Sequence, residues 1–328
     1  MSWPWWLVKP RLAVVLSGGA TLGAFEVGVI DVMARRGIVP DLLVGTSVGA
    51  INAAMWALDP KPDIGRRLLG FWLQSDHSTM FPDGPFPMVG RLVHRSAHIT
   101  TQDGLTRALK RALPEDATID GTLVPLAVVA TQAEHGQRVV LRSGPLRKAL
   151  LASSAIPGLW PAVTIDGQRL FDGGLVANCD IRTAVEAGMT DVILVDVVGD
   201  GLGSAKNLMD VIEGAVRILL RQQTELAVRA FGAGARIAVL RPDVAAGPRF
   251  ADFSQTPRLF AEGQVAAEAF LAEHLGPRGS VRPGIFVAPA AAAPPDVTPS
   301  PRTRERPAVG PQTARGLARP SVAGPKLG

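Results

Sequence analysis

Twice within the first sixty residues a short, unbroken apolar run ends in a glycine-rich turn and passes into a helical pattern. Leu12–Leu16 leads into Ser17-Gly18-Gly19-Ala20, and Leu22–Arg36 then has helical spacing and stops at Gly37. Leu42–Val44 leads into Gly45-Thr46-Ser47-Val48-Gly49, and Val48–Leu58 is a small-residue helix ended by Asp59-Pro60. Strands without polar alternation are buried on both faces. Joined through helices, they must lie parallel, because the crossover returns each strand to the same direction. The expected fold class is therefore α/β, a three-layer α/β/α arrangement around a mostly parallel central sheet.

The same reading continues along the chain. Residues 61–74, Asp103–Ala112, Ile181–Ala187, Leu208–Arg229 and Arg258–His274 have helical spacing. Val124–Thr131, Arg138–Leu141, Val192–Val198 and Arg236–Leu240 read as strands. Val163–Asp166 and Gln168–Phe171 flank Asp166-Gly167, a preferred two-residue hairpin turn. Residues 75–100 are irregular yet apolar, with Phe81-Pro82-Asp83-Gly84-Pro85-Phe86-Pro87-Met88 at their centre. Such a segment is either a lid or binding loop or a buried connector.

Charge marks a boundary. The net charge is +5, and from Arg282 onward seven basic residues face two acidic ones, so residues 1–281 are formally neutral. The sequence after about Val287 is rich in Pro, Ala, Arg and Thr and lacks apolar periodicity. Residues 1–288 are therefore expected to form the folded domain, and 289–328 a disordered basic tail. The excess charge belongs to the tail, so no nucleic-acid partner is expected. The single cysteine, Cys179, allows no intrachain disulfide and fits a reducing compartment. No apolar run reaches the roughly 18–20 residues of a membrane span. The N-terminus lacks the basic start of a secretory signal. A cytoplasmic location, with peripheral membrane contact, is the expectation. Trp3, Trp5 and Trp6 either anchor at a lipid interface or cap the core beside the first strand.

Three segments carry chemistry. Gly45 and Gly49 bracket Ser47 in a strand–turn–helix setting, which suits a nucleophile elbow. The plainer reading is a tight turn with a solvated serine. Gly18, Gly19 and Ala20 open a helix with consecutive backbone N–H groups, a nest for an anion or a developing oxyanion. Gly18-x-Ala20-x-x-Gly23 also approaches a dinucleotide fingerprint. That reading requires an acidic residue closing the second strand, whereas Asp41 precedes it. Asp172 enters Gly173-Gly174 from a hairpin strand. Alone it reads as an ordinary Asp-Gly turn, but placed against Ser47 in a dry site it would serve as a base. The five histidines are His77, His94, His98, His135 and His274, none in a turn-flanked motif.

Four blocks in order resemble the patatin-like phospholipase family. They are Leu16–Val29, Gly45-Thr46-Ser47-Val48-Gly49-Ala50, Ala152–Pro161 and Asp172-Gly173-Gly174-Leu175-Val176-Ala177-Asn178. The resemblance covers roughly residues 11–200. It implies a patatin-like three-layer fold and a Ser–Asp dyad without histidine. Ser47 would be the nucleophile, Asp172 the base, and the Gly19 and Ala20 amides the oxyanion donors. It implies hydrolysis of fatty acyl esters of phospholipids, lysophospholipids or acylglycerols, with a lipid or acyl ester as partner. No cofactor, metal or calcium is implied. Ala20 stands where the family usually has a third glycine, Leu22 where it often has a cation, and Asn178-Cys179-Asp180 where it commonly has Asn-x-Pro. Two rivals accompany this reading. One is an α/β-hydrolase-type triad of Ser47, Asp172 and His274. The other is a non-catalytic lipid- or protein-binding member of the fold.

Overall fold

The computed structural model describes residues 10–80, 98–199, 207–243, 252–276 and 279–288. Trp3, Trp5, Trp6, Phe81–Met88 and the 289–328 segment lie outside the described residues.

The strands are β1 (Leu12–Leu16), β2 (Leu42–Thr46), β3 (Leu126–Gln132), β4 (Arg138–Leu141), β5 (Val163–Ile165), β6 (Gln168–Asp172), β7 (Asp191–Val195), β8 (Arg236–Pro242) and β9 (Gly284–Ala288). They form one sheet in the order β5-β6-β3-β2-β1-β7-β8-β9, with β4 also paired to β3. From β3 through β2, β1, β7 and β8 to β9 every pairing is parallel. The pairings among β3, β4, β5 and β6 are antiparallel.

The helices are α1 (Gly23–Arg35), α2 (Val48–Leu58), α3 (Ile64–Leu73), α4 (His77–Met80), α5 (Asp103–Ala112), α6 (Leu146–Ser153), α7 (Gly174–Ala177), α8 (Ile181–Glu186), α9 (Leu208–Phe231) and α10 (Thr256–His274). They sort onto the two faces of the sheet, as β1 makes plain. Leu12, Val14 and Leu16 point into a core shared with α1, α2, α3 and α10. Ala13 and Val15 point the other way, into a core closed by Ile181 and Ala184 of α8 and by Ala227, Val228 and Phe231 of α9. Alternate residues of one strand thus feed two cores, which defines the three layers.

One helix pair crosses unusually closely. A Cβ on Gly28 would lie 2.1 Å from the Phe260 carbonyl oxygen, and one on Gly263 would lie 2.1 Å from that of Phe25. Side-chain-free positions on both helices let α1 and α10 pack backbone to backbone.

The expected hairpin forms at β5–β6. Asp166 and Gly167 both have positive φ, 49° and 76°, as a tight primed turn requires. Two elements escape a reading by pattern. Helix α6 begins directly after Pro145 and buries Leu146, Ala149, Leu150 and Ser153, a spacing of three, four and seven. Strand β9 has half-exposed residues and, among the described residues, pairs in parallel with β8 alone. Its three-residue apolar centre sits just before the composition change that marks the end of the folded region.

Candidate active site

The site is assembled at the carboxyl ends of β1, β2, β6 and β7, where parallel sheets leave a crevice. Strand β3 is its common ruler. Thr46, the last residue of β2, lies opposite Val129. Asp172, the last residue of β6, lies opposite Ala130, one rung on. Ser47 and Asp172 are therefore neighbours, although 125 positions part them in sequence.

Ser47 caps the start of α2 with φ 54° and ψ −123°. An L-residue held there is strained by roughly 1–3 kcal/mol, a cost characteristic of functional turns. The turn is held open by its glycines. A Cβ on Gly45 would lie 2.4 Å from Ala50 Cα, and one on Gly49 would lie 2.5 Å from the carbonyl oxygens of Leu16 and Ser17. The Ser47 N–H donates to Ser153 Oγ at 2.8 Å, and Ser153 Oγ–H donates to the Val129 carbonyl at 2.5 Å. Helix α6 thus braces the turn from behind.

The Ser47 hydroxyl is a hydrogen-bonding partner of the Asp172 carboxyl. That carboxyl is buried, and its Oδ1 accepts the Gly174 N–H at 2.8 Å. Burial pushes its pKa up to about 6, against the opposing pull of the Ser47 and Gly174 hydrogen bonds. Gly173 permits the close approach. A Cβ there would lie 2.5 Å from the Val129 carbonyl oxygen and 3.0 Å from Thr46 Cγ2.

Of the three amides expected to line the anion nest, Gly18 is taken. Its N–H donates to Asn178 Oδ1 at 3.0 Å. Among the described residues, no acceptor meets the N–H of Gly19 or Ala20. These two remain as donors, and Gly18 is a structural anchor instead. Ala20 adopts φ 49°, so its backbone takes the left-handed form that a third glycine would have taken freely.

Residues that pattern reading left without a role complete the arrangement. Asn178 Nδ2 donates to the Gly18 carbonyl at 3.3 Å, which ties the β1 turn to the segment after Asp172. Asp180 caps α8, accepting the Thr183 N–H at 3.2 Å, and pairs with Arg138 at 2.8 Å. Asp180 thereby sets the helix start that Pro would otherwise favour. Beneath the Gly19–Ala20 turn, Asn52 Nδ2 donates to Glu26 Oε2 at 2.9 Å and to the Gly23 carbonyl at 3.0 Å. Asn52 Oδ1 accepts Trp72 Nε1–H at 3.0 Å. Helices α1, α2 and α3 are joined through this one amide. Burial holds the Glu26 carboxyl well above the usual carboxylate range. Nearby, Asp196 pairs with the buried Arg241 at 3.0 Å. Cys179 is buried too, accepts a hydrogen bond from Thr224 Oγ1 at 3.3 Å, and has its thiol pKa pushed well up by burial.

A cavity of about 150 Å³ opens beside Ser47 and Ala20, lined mainly by apolar side chains that include Ile51, Trp72, Leu105, Trp160 and Phe253. His274 belongs elsewhere. Its Nδ1 lies 2.9 Å from the Arg282 carbonyl oxygen and its ring stacks on Phe270 at 5.0 Å. It packs against Gly284 of β9. That strand is four places from β2 in the sheet, roughly 19 Å at the usual interstrand spacing. The Ser47, Asp172 and His274 triad is therefore not formed. Among the described residues, no group of three or more His, Cys, Asp or Glu is placed to hold a metal ion. No described helix is long and apolar enough to cross a membrane.

The patatin-like phospholipase family model matches residues 14–185. Patatin-like phospholipase domain-containing protein 6 of Mus musculus is 27% identical over 193 residues, which are 58% of this chain and 14% of that protein. Lysophospholipase NTE1 of Cryptococcus neoformans var. neoformans serotype D is 26% identical over 193 residues, 58% of this chain and 11% of that protein. The chain thus spans a small part of the length of these relatives. Among solved structures, VipD from Legionella pneumophila is similar at a TM-score of 0.43 and 14% identity, over 81% of this chain and 67% of that one. Human GIVD cytosolic phospholipase A2 is similar at a TM-score of 0.36 and 14% identity, over 68% of this chain and 43% of that one. The family model covers more than half of the chain and takes in both Ser47 and Asp172: the chain belongs to the patatin-like phospholipase family.

Proposed function

We propose that this protein is a serine acyl-ester hydrolase that cleaves fatty acyl esters of phospholipids, lysophospholipids or acylglycerols with a Ser47–Asp172 dyad. The observation that carries the reading is the meeting of a strained Ser47 with a buried Asp172 carboxyl, beside two amides without acceptors among the described residues.

In this reading Asp172 accepts the Ser47 proton as Oγ attacks the ester carbonyl carbon. The carbonyl oxygen becomes the tetrahedral oxyanion and is held by the Gly19 and Ala20 N–H groups, each worth roughly 3–4 kcal/mol of barrier. Collapse expels the alcohol or lysolipid, which takes the proton back from Asp172, and leaves an acyl-Ser47 ester. A water molecule then gives a proton to Asp172 and attacks the acyl carbon. Collapse of this second intermediate returns the proton to Ser47 Oγ and releases the fatty acid. The apolar cavity beside Ser47 receives the acyl chain. The carboxyl is basic enough because burial raises its pKa toward the working pH. The reaction needs no cofactor, and the enzyme works in the cytoplasm at the edge of a lipid surface.

The direct test is active-site labelling with a fluorophosphonate probe, alongside turnover of a short-chain p-nitrophenyl ester. Labelling and turnover in the wild type, both abolished in Ser47→Ala and in Asp172→Asn, are the expected result. Folded wild-type protein with neither overturns the reading in favour of a non-catalytic member of the family. Lipid profiling against Ser47→Ala then identifies the head group.

A further inference from the structure

Asn52 stands wholly buried in α2, five residues after Ser47. Both hydrogens of its amide are engaged, one by the Gly23 carbonyl and one by Glu26 Oε2. Its Oδ1 accepts the Trp72 indole N–H at 3.0 Å. An amide paired in this way is stiff, because shifting it would unpair polar groups that water cannot reach. What it joins bears on the site. Gly23 is the end of the short turn that carries the Gly19 and Ala20 amides. The Leu22 N–H donates to the Gly19 carbonyl at 3.1 Å, and the Gly23 N–H donates to the Ala20 carbonyl. The position of Gly23 therefore sets the aim of both amides.

Trp72 brings in the cavity. Its ring lines the cavity beside Ser47 and lies 6.4 Å, between centroids, from Phe253 on the same wall. It also presses on the start of α1. A Cβ on Gly23 would lie 2.8 Å from Trp72 Cζ2 and 2.6 Å from Cγ2 of Val48, the residue after Ser47. A phenylalanine would wall an apolar cavity as well. The indole adds a buried N–H that must find an acceptor, and the acceptor is the amide that holds Gly23.

We infer that Trp72 and Asn52 are positioning residues that couple the acyl cavity to the Gly19 and Ala20 amides. A chain packed along the cavity fixes the indole, the indole fixes the Asn52 amide, and that amide fixes the Gly23 end of the turn. The inference rests on the acyl-ester hydrolase reading and adds that acyl length is felt in turnover as well as in binding. Binding energy gathered away from the reacting bond raises kcat only where it becomes alignment at that bond. An acetyl group leaves most of the cavity wall untouched, whereas an octanoyl chain extends along it.

The kinetic arm uses the full chain and p-nitrophenyl acetate, butyrate and octanoate, with kcat normalised to sites titrated by a fluorophosphonate. Wild-type kcat is expected to rise about tenfold from acetate to octanoate while KM falls. In Trp72→Phe, and separately in Asn52→Ala, KM should still fall with length but kcat should stay flat. A merely structural role would scale kcat for all three esters alike. Variants that keep the wild-type rise overturn the inference, as does a wild type in which length changes KM alone. The binding arm titrates octan-1-ol, which is not hydrolysed, and follows side-chain N–H signals by NMR. The Asn52 amide signals should move with those of the Trp160 indole in wild type, whereas in Trp72→Phe only the Trp160 signal should move. A wild type in which octan-1-ol moves Trp160 but not Asn52, or neither, overturns the coupling. Coupled signals in a wild type that turns over no ester leave the coupling in place and remove the hydrolase reading instead.

Discussion

Asn178 holds Gly18 from both sides, accepting its N–H at 3.0 Å and donating to its carbonyl at 3.3 Å. The pair joins the turn that carries the Gly19 and Ala20 amides to the segment that follows Asp172. Asn178→Ala should leave two buried backbone groups unpaired, at a cost of about 1–3 kcal/mol. It should also lower kcat more than it raises KM, because the free amides lose their aim while the apolar cavity is untouched. Thermal melts and steady-state kinetics on a soluble ester check both.

The pH profile follows from the buried carboxyl. In the proposed mechanism Asp172 must be ionised to accept the serine proton, and its pKa is pushed up to about 6. The kcat/KM for a soluble ester should therefore rise through about pH 6 to a plateau. A profile already flat at pH 5 would contradict Asp172 as the base.

The same shift has a stability consequence of defined sign. A folded-state pKa above the unfolded one favours folding below the unfolded value and loses that contribution as pH rises through the folded one. At pH 8 the folded chain thus carries a buried carboxylate at a disadvantage. Asp172→Asn removes it, so this inactive variant should be more stable than wild type at pH 8, by about 1–3 kcal/mol. The difference should shrink below pH 4, which denaturant titrations at the two pH values read out.

Gly19 offers a test by compensation. A Cβ there would lie 2.4 Å from Val197 Cγ2, while Val197 Cβ is 3.8 Å away. Gly19→Ala should displace the amide and lower kcat by tenfold or more. Adding Val197→Ala removes the offending methyl and should restore most of the rate. No recovery in the double variant would mean that Gly19 matters for another reason.

Glu26 is fully inside the fold and burial favours its neutral form, so glutamine should replace it well. Glu26→Gln is expected to stay within about 1 kcal/mol of wild type, because its amide oxygen still accepts from Asn52. Glu26→Ala should cost about 2–4 kcal/mol, through a cavity and a lost partner for Asn52. Melting temperatures of the two variants decide it.

Much of this was readable from local pattern. The first two strand–turn–helix units lie where continuous apolar runs meet glycine, and Asp166-Gly167 gives a hairpin. Ser47 and Asp172 each stand out from a glycine-flanked turn. Their meeting was not legible, since it depends on the register of β3, which pairs Val129 with Thr46 and Ala130 with Asp172. Ser153 and Asn178 were hidden for a related reason. Each is an ordinary polar residue locally and acquires a function from a partner more than a hundred positions away. Gly18 belongs with them: its pattern suggests a free donor, and only the contact with Asn178 engages its N–H. Helix α9 shows the limit of periodicity, with Leu208, Ile212 and Leu219 exposed and Arg217 buried. The spacing gives a helix, yet nothing in it tells which side the fold will cover.

The buried Cys179 makes the chain ready for spectroscopy. It is the sole thiol in the sequence, and burial keeps it protonated and away from reagents. A cysteine introduced at the surface will accept a spin label or fluorophore without a competing background. Slow labelling of Cys179 itself will then clock the opening of the sheet's second core.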